Sequence, residues 1–172
     1  MNLVLCDQSY SDSILAILNE AILNTTAIYD YRPRTPDMMA AWFDAKGKGN
    51  YPVIGALSDK GELMGFASYG TFRAWPGYKY SVEHSIYVAA PWRGQGIGSK
   101  LLQEVITSAR SRNYHVLIGG IDSQNAASIR IHLRFGFKHA GTIRETGFKF
   151  GRWLDLEFYQ LILETPAHPV DG

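Results

Sequence analysis

The stretch from Val82 to Lys100 constrains the fold more than any other part of the sequence. An apolar strand pattern runs there into a glycine-rich turn, and the turn opens a helix pattern. Gly94, Gly96 and Gly98 permit backbone angles that other residues resist, and they let a ligand approach the main chain closely. The unpaired N–H groups and the dipole at the helix start favour an anion such as phosphate. A plain tight turn is the alternative interpretation.

The spacing of this turn excludes two common phosphate-binding motifs. A nucleotide P-loop requires Gly-x-x-x-x-Gly-Lys-Ser/Thr, whereas Lys100 follows the pair Gly98-Ser99. A dinucleotide-binding fold requires Gly-x-Gly-x-x-Gly near the first strand, with an acidic residue about 20 positions later. Here the spacing is Gly-x-Gly-x-Gly and the turn lies halfway down the chain. The turn therefore predicts an anion site of another kind.

The order of the remaining elements predicts an α/β fold. Strands are expected at Leu3 to Cys6, Tyr51 to Leu57, Leu63 to Thr71, Val82 to Val88 and His115 to Ile121, with two more between Lys138 and Leu163. Helices are expected after a cap at Ser11 or Asp12, after Thr35 with Pro36 as first residue, from Gly98 to Asn113 and from Asn125 to Phe135. A meander followed by crossover helices implies a mixed, mostly antiparallel sheet of six or seven strands with helices on both faces.

The bulk properties narrow the class of protein. A chain of 172 residues without a linker predicts one domain over residues 1–172, with a disordered or peripheral tail at 165–172. The formal net charge of +1 does not favour nucleic acid as a partner. No apolar run is long enough to span a membrane and no secretory signal is visible. With Cys6 as the single cysteine, we expect a cytoplasmic protein without an internal disulfide.

Two motifs at the expected separation carry a resemblance to a known family. The segment Arg93-Gly94-Gln95-Gly96-Ile97-Gly98 resembles the Arg/Gln-x-x-Gly-x-Gly/Ala signature of the GNAT N-acetyltransferases, and the segment from Asn125 to Phe137 resembles their next motif. The segments Val82 to Val88 and Gly147 to Asp155 narrow the resemblance to the phosphinothricin and methionine sulfoximine/sulfone acetyltransferases. The match runs from about residue 3 to residue 163.

The resemblance implies acetyl-CoA as the acetyl donor, a small-molecule amine as acceptor, no metal and a homodimer. It places the pyrophosphate of acetyl-CoA at the glycine turn and the pantetheine arm at Asn125. The implied cofactor-binding residues are Ile86, Tyr87, Val88, Arg93, Gly94, Gln95, Gly96, Ile97, Gly98, Ser99 and Asn125. A backbone N–H of the strand, that of Val88, is expected to polarise the thioester carbonyl.

Glu83 and His132 are the candidate catalytic residues. A protonated amine must lose a proton before it attacks a thioester, and Glu83 is the best-placed carboxylate beside the cofactor turn. His132 stands seven residues after Asn125, where the resemblance implies the group that protonates the departing thiolate. The reverse assignment of the two roles stays open. Structural alternatives are a salt-bridged acid at Glu83 and a packed helix residue at His132.

The candidate substrate-binding residues are Arg73, Ala74, Trp75, Glu83, His84, Ser85 and Tyr29. Arg73 offers a planar, bidentate cation to a carboxylate or phosphinate, although it could also be an ordinary exposed turn residue. Trp75, Tyr29 and Tyr31 are possible pocket walls, but aromatic residues in loops often simply pack. Because neighbours in a strand alternate, Glu83 and His84 are expected to face opposite sides of the sheet.

Three functions compete on this evidence: acetylation of a small amine, acetylation of a protein N-terminus or lysine, and acyl-CoA sensing without catalysis. The aromatic loops at Thr25 to Pro36 and Phe72 to Tyr80 favour a small closed pocket over an open protein groove. The candidate acid–base residues argue against a sensor. Cys6 has no histidine partner in sequence, and the five histidines show no metal-ligand spacing. The C-terminal aromatic residues supply either a dimer interface or the core.

Overall fold

The computed structural model describes residues 1–171, and these contain seven strands and four α-helices. The strands are β1 (Asn2–Leu5), β2 (Val53–Leu57), β3 (Leu63–Thr71), β4 (Ser81–Val88), β5 (Val116–Asp122), β6 (Lys138–Lys149) and β7 (Arg152–Ile162). The helices are α1 (Ser11–Asn24), α2 (Pro36–Lys48), α3 (Ile97–Ser111) and α4 (Ala126–Arg134). Every element predicted from the sequence is present and in the predicted order.

The strands form one sheet in the order β1-β2-β3-β4-β5-β7-β6. β4 and β5 are parallel, with Ser81–His84 opposite Val116–Gly119. The pairs β1–β2, β2–β3, β5–β7 and β6–β7 are antiparallel. A parallel pair needs a crossover connection, and α3 supplies it between β4 and β5. The predicted mixed, mostly antiparallel sheet of an α/β fold is confirmed.

The chain divides into two compact units, and β4 and α3 each contribute to both. The first unit comprises Met1–Ser68 and Ser85–Leu102. Its core holds Ile14, Leu18 and Ile22, which recur every four residues and so share one face of α1. In the same unit, Trp42 of α2 packs edge-on against Phe66 of β3, with 6.2 Å between ring centroids.

The starts of the first two helices test the predicted capping residues. The prediction of a cap at Ser11 or Asp12 is wrong: α1 begins at Ser11, after Tyr10 in the cap position. A short 3₁₀ turn comes before it, and the carboxylate of Asp7 accepts a hydrogen bond from Ser9 N there, at 2.9 Å. The local 3₁₀ turn therefore moves the capping interaction to an earlier residue. The predicted start of α2, with Thr35 in the cap position before Pro36, is confirmed.

The second unit comprises Tyr69–His84 and the chain from Gln103 onward. Leu117, Phe137 and Leu154 are buried at its centre. Residues of the C-terminal segment that the sequence marks as disordered or peripheral are tied to this unit, because Thr165 O accepts from Nδ1 of His115 at 2.9 Å. Gly172, which also belongs to that segment, lies outside the described residues.

The C-terminal aromatic residues divide between core and surface. Tyr159 is buried, which fits packing within the domain. Phe148, Phe150 and Trp153, at the turn between β6 and β7, are 44%, 56% and 60% exposed. Within residues 1–171, no helix has the length and apolar character needed to cross a membrane.

Candidate active site

The glycine turn lies in the first unit, between the end of β4 and the start of α3. Gly94 and Gly96 have φ angles of +78° and +81°, which side chains other than glycine rarely adopt. A Cβ atom built on either residue meets no atom within 4 Å. The glycines are therefore required by the backbone angle, and the space beside them is open to a ligand. Gly98 lies inside α3 and does not share this requirement.

The side chains of the turn hold the turn itself together. Nε of Arg93 donates to Val88 O at 3.0 Å, and its Nη2 is paired with the carboxylate of Glu20 on α1. Nε2 of Gln95 donates to Pro91 O at 3.1 Å. Both side chains thus stabilise the backbone of the turn, and the N–H groups at the start of α3 stay the predicted anion-binding groups.

The end of β4 approaches β3 closely within the same unit. A Cβ on Gly65 would lie 2.7 Å from Tyr87 O and 3.1 Å from Val88 Cα, so only glycine fits there. Ala89 N donates to Met64 O at 2.9 Å, and the ring of Tyr87 packs 5.5 Å from that of Phe66. These contacts fix the backbone of Val88, whose N–H is the predicted donor to the thioester carbonyl.

The loop between α1 and α2 is held against the first unit. Ile28 is buried in its core, so this apolar loop covers part of that core. Asn19 clamps the far end: its Oδ1 accepts from Arg34 N at 2.7 Å and its Nδ2 donates to Arg34 O at 3.0 Å. Tyr29 is half-buried and Tyr31 is 68% exposed.

Glu83 lies on the first half of β4, in the second unit, and is half-buried. Burial raises the pKa of its carboxyl group, and the charge of Arg73 acts in the opposite direction. Arg73 itself is exposed, and its guanidinium lies 5.3 Å from the ring of Phe72. Trp75 in the same loop is 74% exposed, so it is not packed into the core. The carboxylate of Glu83 and the cation of Arg73 thus lie within electrostatic reach of each other in the second unit.

His84 and His132 form a buried pair. Their Nε2 atoms are 2.9 Å apart and their rings are stacked, with centroids 5.1 Å apart. Burial first, and then the neighbouring His132, lowers the pKa of His84 to about 3, whereas the Ile118 backbone acts in the opposite direction. Among residues 1–171, Nδ1 of His84 has no hydrogen-bond partner. Burial lowers the pKa of His132 as well. His84 is therefore buried against His132, and its substrate contact stays a prediction.

Two adjacent glycines of β5 make room for these groups on opposite faces. A Cβ on Gly120 would lie 3.1 Å from Glu83 Oε1, whereas one on Gly119 would lie 3.0 Å from His84 Cε1 and 3.2 Å from His132 Nε2. Since successive strand residues point to opposite faces, Glu83 and the histidine pair lie on opposite faces. The predicted alternation of Glu83 and His84 is confirmed. This glycine pair was not among the residues predicted for the site. Glycine inside a strand does, however, indicate that another group approaches the strand closely.

Substitution of the two glycines separates the two faces. We expect Gly120→Ala to press on the Glu83 carboxylate and lower kcat, with little change in Tm because that carboxylate is flexible. Gly119→Ala should press on two buried rings and lower stability by about 1–3 kcal/mol, the usual cost of overpacking. Thermal melts and steady-state kinetics of both variants check this. Equal effects of the two variants on Tm would contradict the assignment of faces.

Asn125 precedes α4 as its N-cap residue, in the second unit. Its Oδ1 accepts a hydrogen bond from Ser128 N at 3.1 Å, and its own N–H donates to Asp122 O at 2.8 Å. The capping bond uses the amide oxygen, which leaves the Nδ2 group as the donor available to a ligand. Asn125 is half-buried.

Two other predictions concern reactivity and metals. Cys6 is buried in the first unit, and burial raises the pKa of its thiol to about 11, with Asp7 adding to the shift. A thiol held protonated in this way is not a nucleophile at neutral pH. Among residues 1–171, no group of three or more histidine, cysteine, aspartate or glutamate side chains is arranged to hold a metal ion.

The α/β fold of this chain is that of acetyltransferases of known structure. A model of the acetyltransferase (GNAT) family matches residues 17–137. The L-methionine sulfoximine/L-methionine sulfone acetyltransferase of Pseudomonas paraeruginosa is 48% identical over 151 residues, 88% of each chain. The one from Salmonella typhimurium is 42% identical over 169 residues, 98% of each chain. The chain belongs to the acetyltransferase (GNAT) family.

A solved structure supports the same conclusion. A GNAT superfamily phosphinothricin acetyltransferase from Sinorhizobium meliloti, in complex with acetyl-CoA, has a TM-score of 0.94 and 34% identity. The similarity covers 98% of this chain and 91% of that chain. The narrower resemblance to phosphinothricin and methionine sulfoximine/sulfone acetyltransferases is thereby confirmed.

Proposed function

We propose that this protein transfers the acetyl group of acetyl-CoA to the α-amino group of a small amino-acid-like substrate of the methionine sulfoximine, methionine sulfone or phosphinothricin type. The observation that carries the proposal is the half-buried Glu83 carboxylate within electrostatic reach of the exposed Arg73 cation. This pair matches the two charges of an amino acid, because Arg73 suits its carboxylate and Glu83 suits its ammonium group. The proposed substrate class is taken from the names of the related acetyltransferases.

The turn between β4 and α3 fits acetyl-CoA. Open space beside Gly94 and Gly96 and the N–H groups at the start of α3 suit a pyrophosphate. The Nδ2 group of Asn125 suits a carbonyl of the pantetheine arm. When bound, acetyl-CoA supplies an acetyl thioester. The remaining residues of the predicted cofactor set act through backbone groups or hold the turn.

Glu83 is the proposed general base. It accepts a proton from the substrate ammonium group, so that the amine nitrogen can bond to the acetyl carbon as the carbon–sulfur bond breaks. A raised pKa brings this carboxylate closer to neutrality, where a base transfers protons most effectively. The nitrogen gives up a second proton as the amide forms, so that one of the two protons ends on the CoA sulfur and the other passes to solvent.

His132 is unsuited to donate that proton directly in the arrangement observed. Its Nε2 faces His84 and its Nδ1 faces Ser128 O at 2.7 Å. Burial also lowers its pKa, so the ring is neutral at physiological pH. We therefore assign acid–base work to Glu83 and a different role to His132.

A CoA-thiol release assay over a panel of amines tests the proposed function. We expect release with L-methionine sulfoximine, L-methionine sulfone and phosphinothricin, and little with a peptide N-terminus or free lysine side chains. Preference for the peptide would favour protein acetylation. Acetyl-CoA binding without release for any amine would favour a sensor.

Recognition of the substrate carboxylate should depend on Arg73. Arg73→Ala is expected to raise KM for the amino acid roughly 10-fold or more, because a charge-assisted hydrogen bond contributes about 1.5–3 kcal/mol. KM for acetyl-CoA should change little. Lys79→Ala, which removes another exposed cation of the same loop, is the matched control. Equal effects of both substitutions would reduce Arg73 to a surface residue.

The same variant should move the pH profile. The Arg73 charge lowers the pKa of Glu83, so its removal raises that pKa further. A base works only when deprotonated, and the acidic limb of kcat/KM should therefore shift to higher pH in Arg73→Ala. A limb that stays in place or shifts to lower pH would contradict Glu83 as the titrating group.

The exposed aromatic residues Phe148, Phe150 and Trp153 support the further proposal of a homodimer. Exposed aromatic clusters are enriched at interfaces. Light scattering after gel filtration tests this, with Trp153→Glu expected to yield monomers. A wild-type monomer at micromolar concentration would contradict it.

A further inference from the structure

The hydrogen bonds of His132 determine where its proton lies. Nδ1 lies 2.7 Å from Ser128 O, and a carbonyl oxygen can only accept, so Nδ1 carries the hydrogen. Ser128 Oγ is farther from the same nitrogen, at 3.4 Å. A neutral imidazole has one N–H, and its other nitrogen is an acceptor. Nε2 of His132 is therefore an acceptor.

The donor to that nitrogen is His84. Its Nε2 lies 2.9 Å from Nε2 of His132, so it must carry the hydrogen of this bond. Nδ1 of the neutral His84 is then an unprotonated nitrogen. That atom has no hydrogen-bond partner among residues 1–171. Burial, which lowers the pKa of both rings, keeps the pair neutral.

The pair continues into the cap of α4. Nδ1–H of His132 donates to Ser128 O, and Ser128 N–H donates to Oδ1 of Asn125 at 3.1 Å. A series of contacts within the second unit thus runs from β4 to the Asn125 amide. Gly119 lets the two rings meet, because a Cβ there would lie 3.2 Å from His132 Nε2.

The geometry points to His84 as a positioning residue for acetyl-CoA binding, acting through His132 and Ser128 on the amide of Asn125. This inference rests on the proposed function, in which the Nδ2 group of Asn125 binds the pantetheine arm. The hydrogen that His84 donates fixes His132 in its Nδ1–H form. That form holds the first turn of α4 and keeps the oxygen of Asn125 on Ser128, with Nδ2 turned to the ligand.

The protonation of the two rings can be read directly in the wild-type protein. Two-bond ¹H–¹⁵N spectra at pH 7 should show His132 protonated on Nδ1 and His84 protonated on Nε2. Either ring with the opposite tautomer, or with both nitrogens protonated, would overturn the inference. This measurement needs no activity and no altered side chain.

Two substitutions of His84 distinguish positioning from packing. Gln keeps an N–H donor that can reach His132, whereas Phe keeps an aromatic ring beside Phe137 and removes the donor. For His84→Phe we expect Kd for acetyl-CoA, measured by calorimetry, to rise roughly 5-fold, the effect of one average hydrogen bond. For His84→Gln we expect Kd within about 2-fold of wild type. Packing alone predicts the opposite order.

The outcomes separate this inference from the proposed function. Unchanged Kd in His84→Phe overturns the inference and leaves acetyl transfer intact. Wild-type protein that does not bind acetyl-CoA overturns both. If His84→Phe fails to fold, the wild-type tautomers and the Kd of His84→Gln for acetyl-CoA test the inference instead. A Kd of His84→Gln as high as that of Asn125→Ala would overturn it.

Discussion

Glu83→Gln is expected to lower kcat by roughly 10²-fold or more at neutral pH, the usual scale for loss of a positioned base. Glutamine keeps the size and hydrogen-bonding capacity of the side chain but cannot accept the amine proton. The deficit should shrink at alkaline pH, where the substrate is already a free amine. Kinetics from mildly acidic to alkaline pH measure this.

Two comparisons sharpen the Glu83 result. Glu62→Gln, at an exposed acid in the first unit, should leave kcat unchanged. His132→Ala removes the partner of His84 and Ser128. Its loss of kcat should persist at high pH, because His132 does not take the proton of the amine. If Glu83→Gln matches wild type at every pH, Glu83 is not the base. If the loss of kcat in His132→Ala, and not that in Glu83→Gln, shrinks at alkaline pH, the base is His132 and not Glu83.

Gly96→Asp is expected to abolish measurable acetyl-CoA binding while the fold is retained. The substitution puts a negative side chain into the open space where the pyrophosphate should lie, and φ of +81° adds backbone strain of about 1–2 kcal/mol. Calorimetry with acetyl-CoA and a thermal melt of the same sample measure the two effects separately.

Gly61→Asp is the matched control for that experiment. Gly61 has the same φ of +81°, and a Cβ there also meets nothing within 4 Å. It lies in the turn between β2 and β3, so it should incur a similar loss of stability without any loss of acetyl-CoA affinity. Unchanged affinity in Gly96→Asp, or equal losses in both variants, would contradict the proposed cofactor site.

The fold was predictable because the apolar residues repeat with the period of a strand or of a helix in clearly separated segments of the sequence. The mixed character of the sheet followed from the crossover helices, and the structure joins the parallel strands β4 and β5 through α3. The glycine turn predicted unusual backbone angles, which Gly94 and Gly96 adopt. The start of α1 was not predictable from capping preference, since the 3₁₀ turn after Asp7 depends on a local side-chain hydrogen bond.

Candidate site residues could be named from the sequence, but their arrangement could be predicted only in part. Strand alternation placed Glu83 and His84 on opposite faces, which the structure confirms. The pairing of His84 with His132 was not predictable, because it joins side chains 48 positions apart across Gly119. The same holds for Arg93, whose partner Glu20 lies on α1, far away in sequence.

The proposed reaction is acetyl transfer to the α-amino group of an amino-acid-like substrate. It is tested by incubating ¹³C-acetyl-CoA with L-methionine sulfoximine and, separately, with L-methionine sulfone, and by identifying the products by NMR and mass spectrometry. The sulfone has no nitrogen at sulfur, so its α-amine is the only possible acceptor. We predict one labelled acetyl amide on the α-nitrogen of each compound, formed in step with CoA release. Unmodified substrates, or label confined to the sulfoximine nitrogen, would contradict the account.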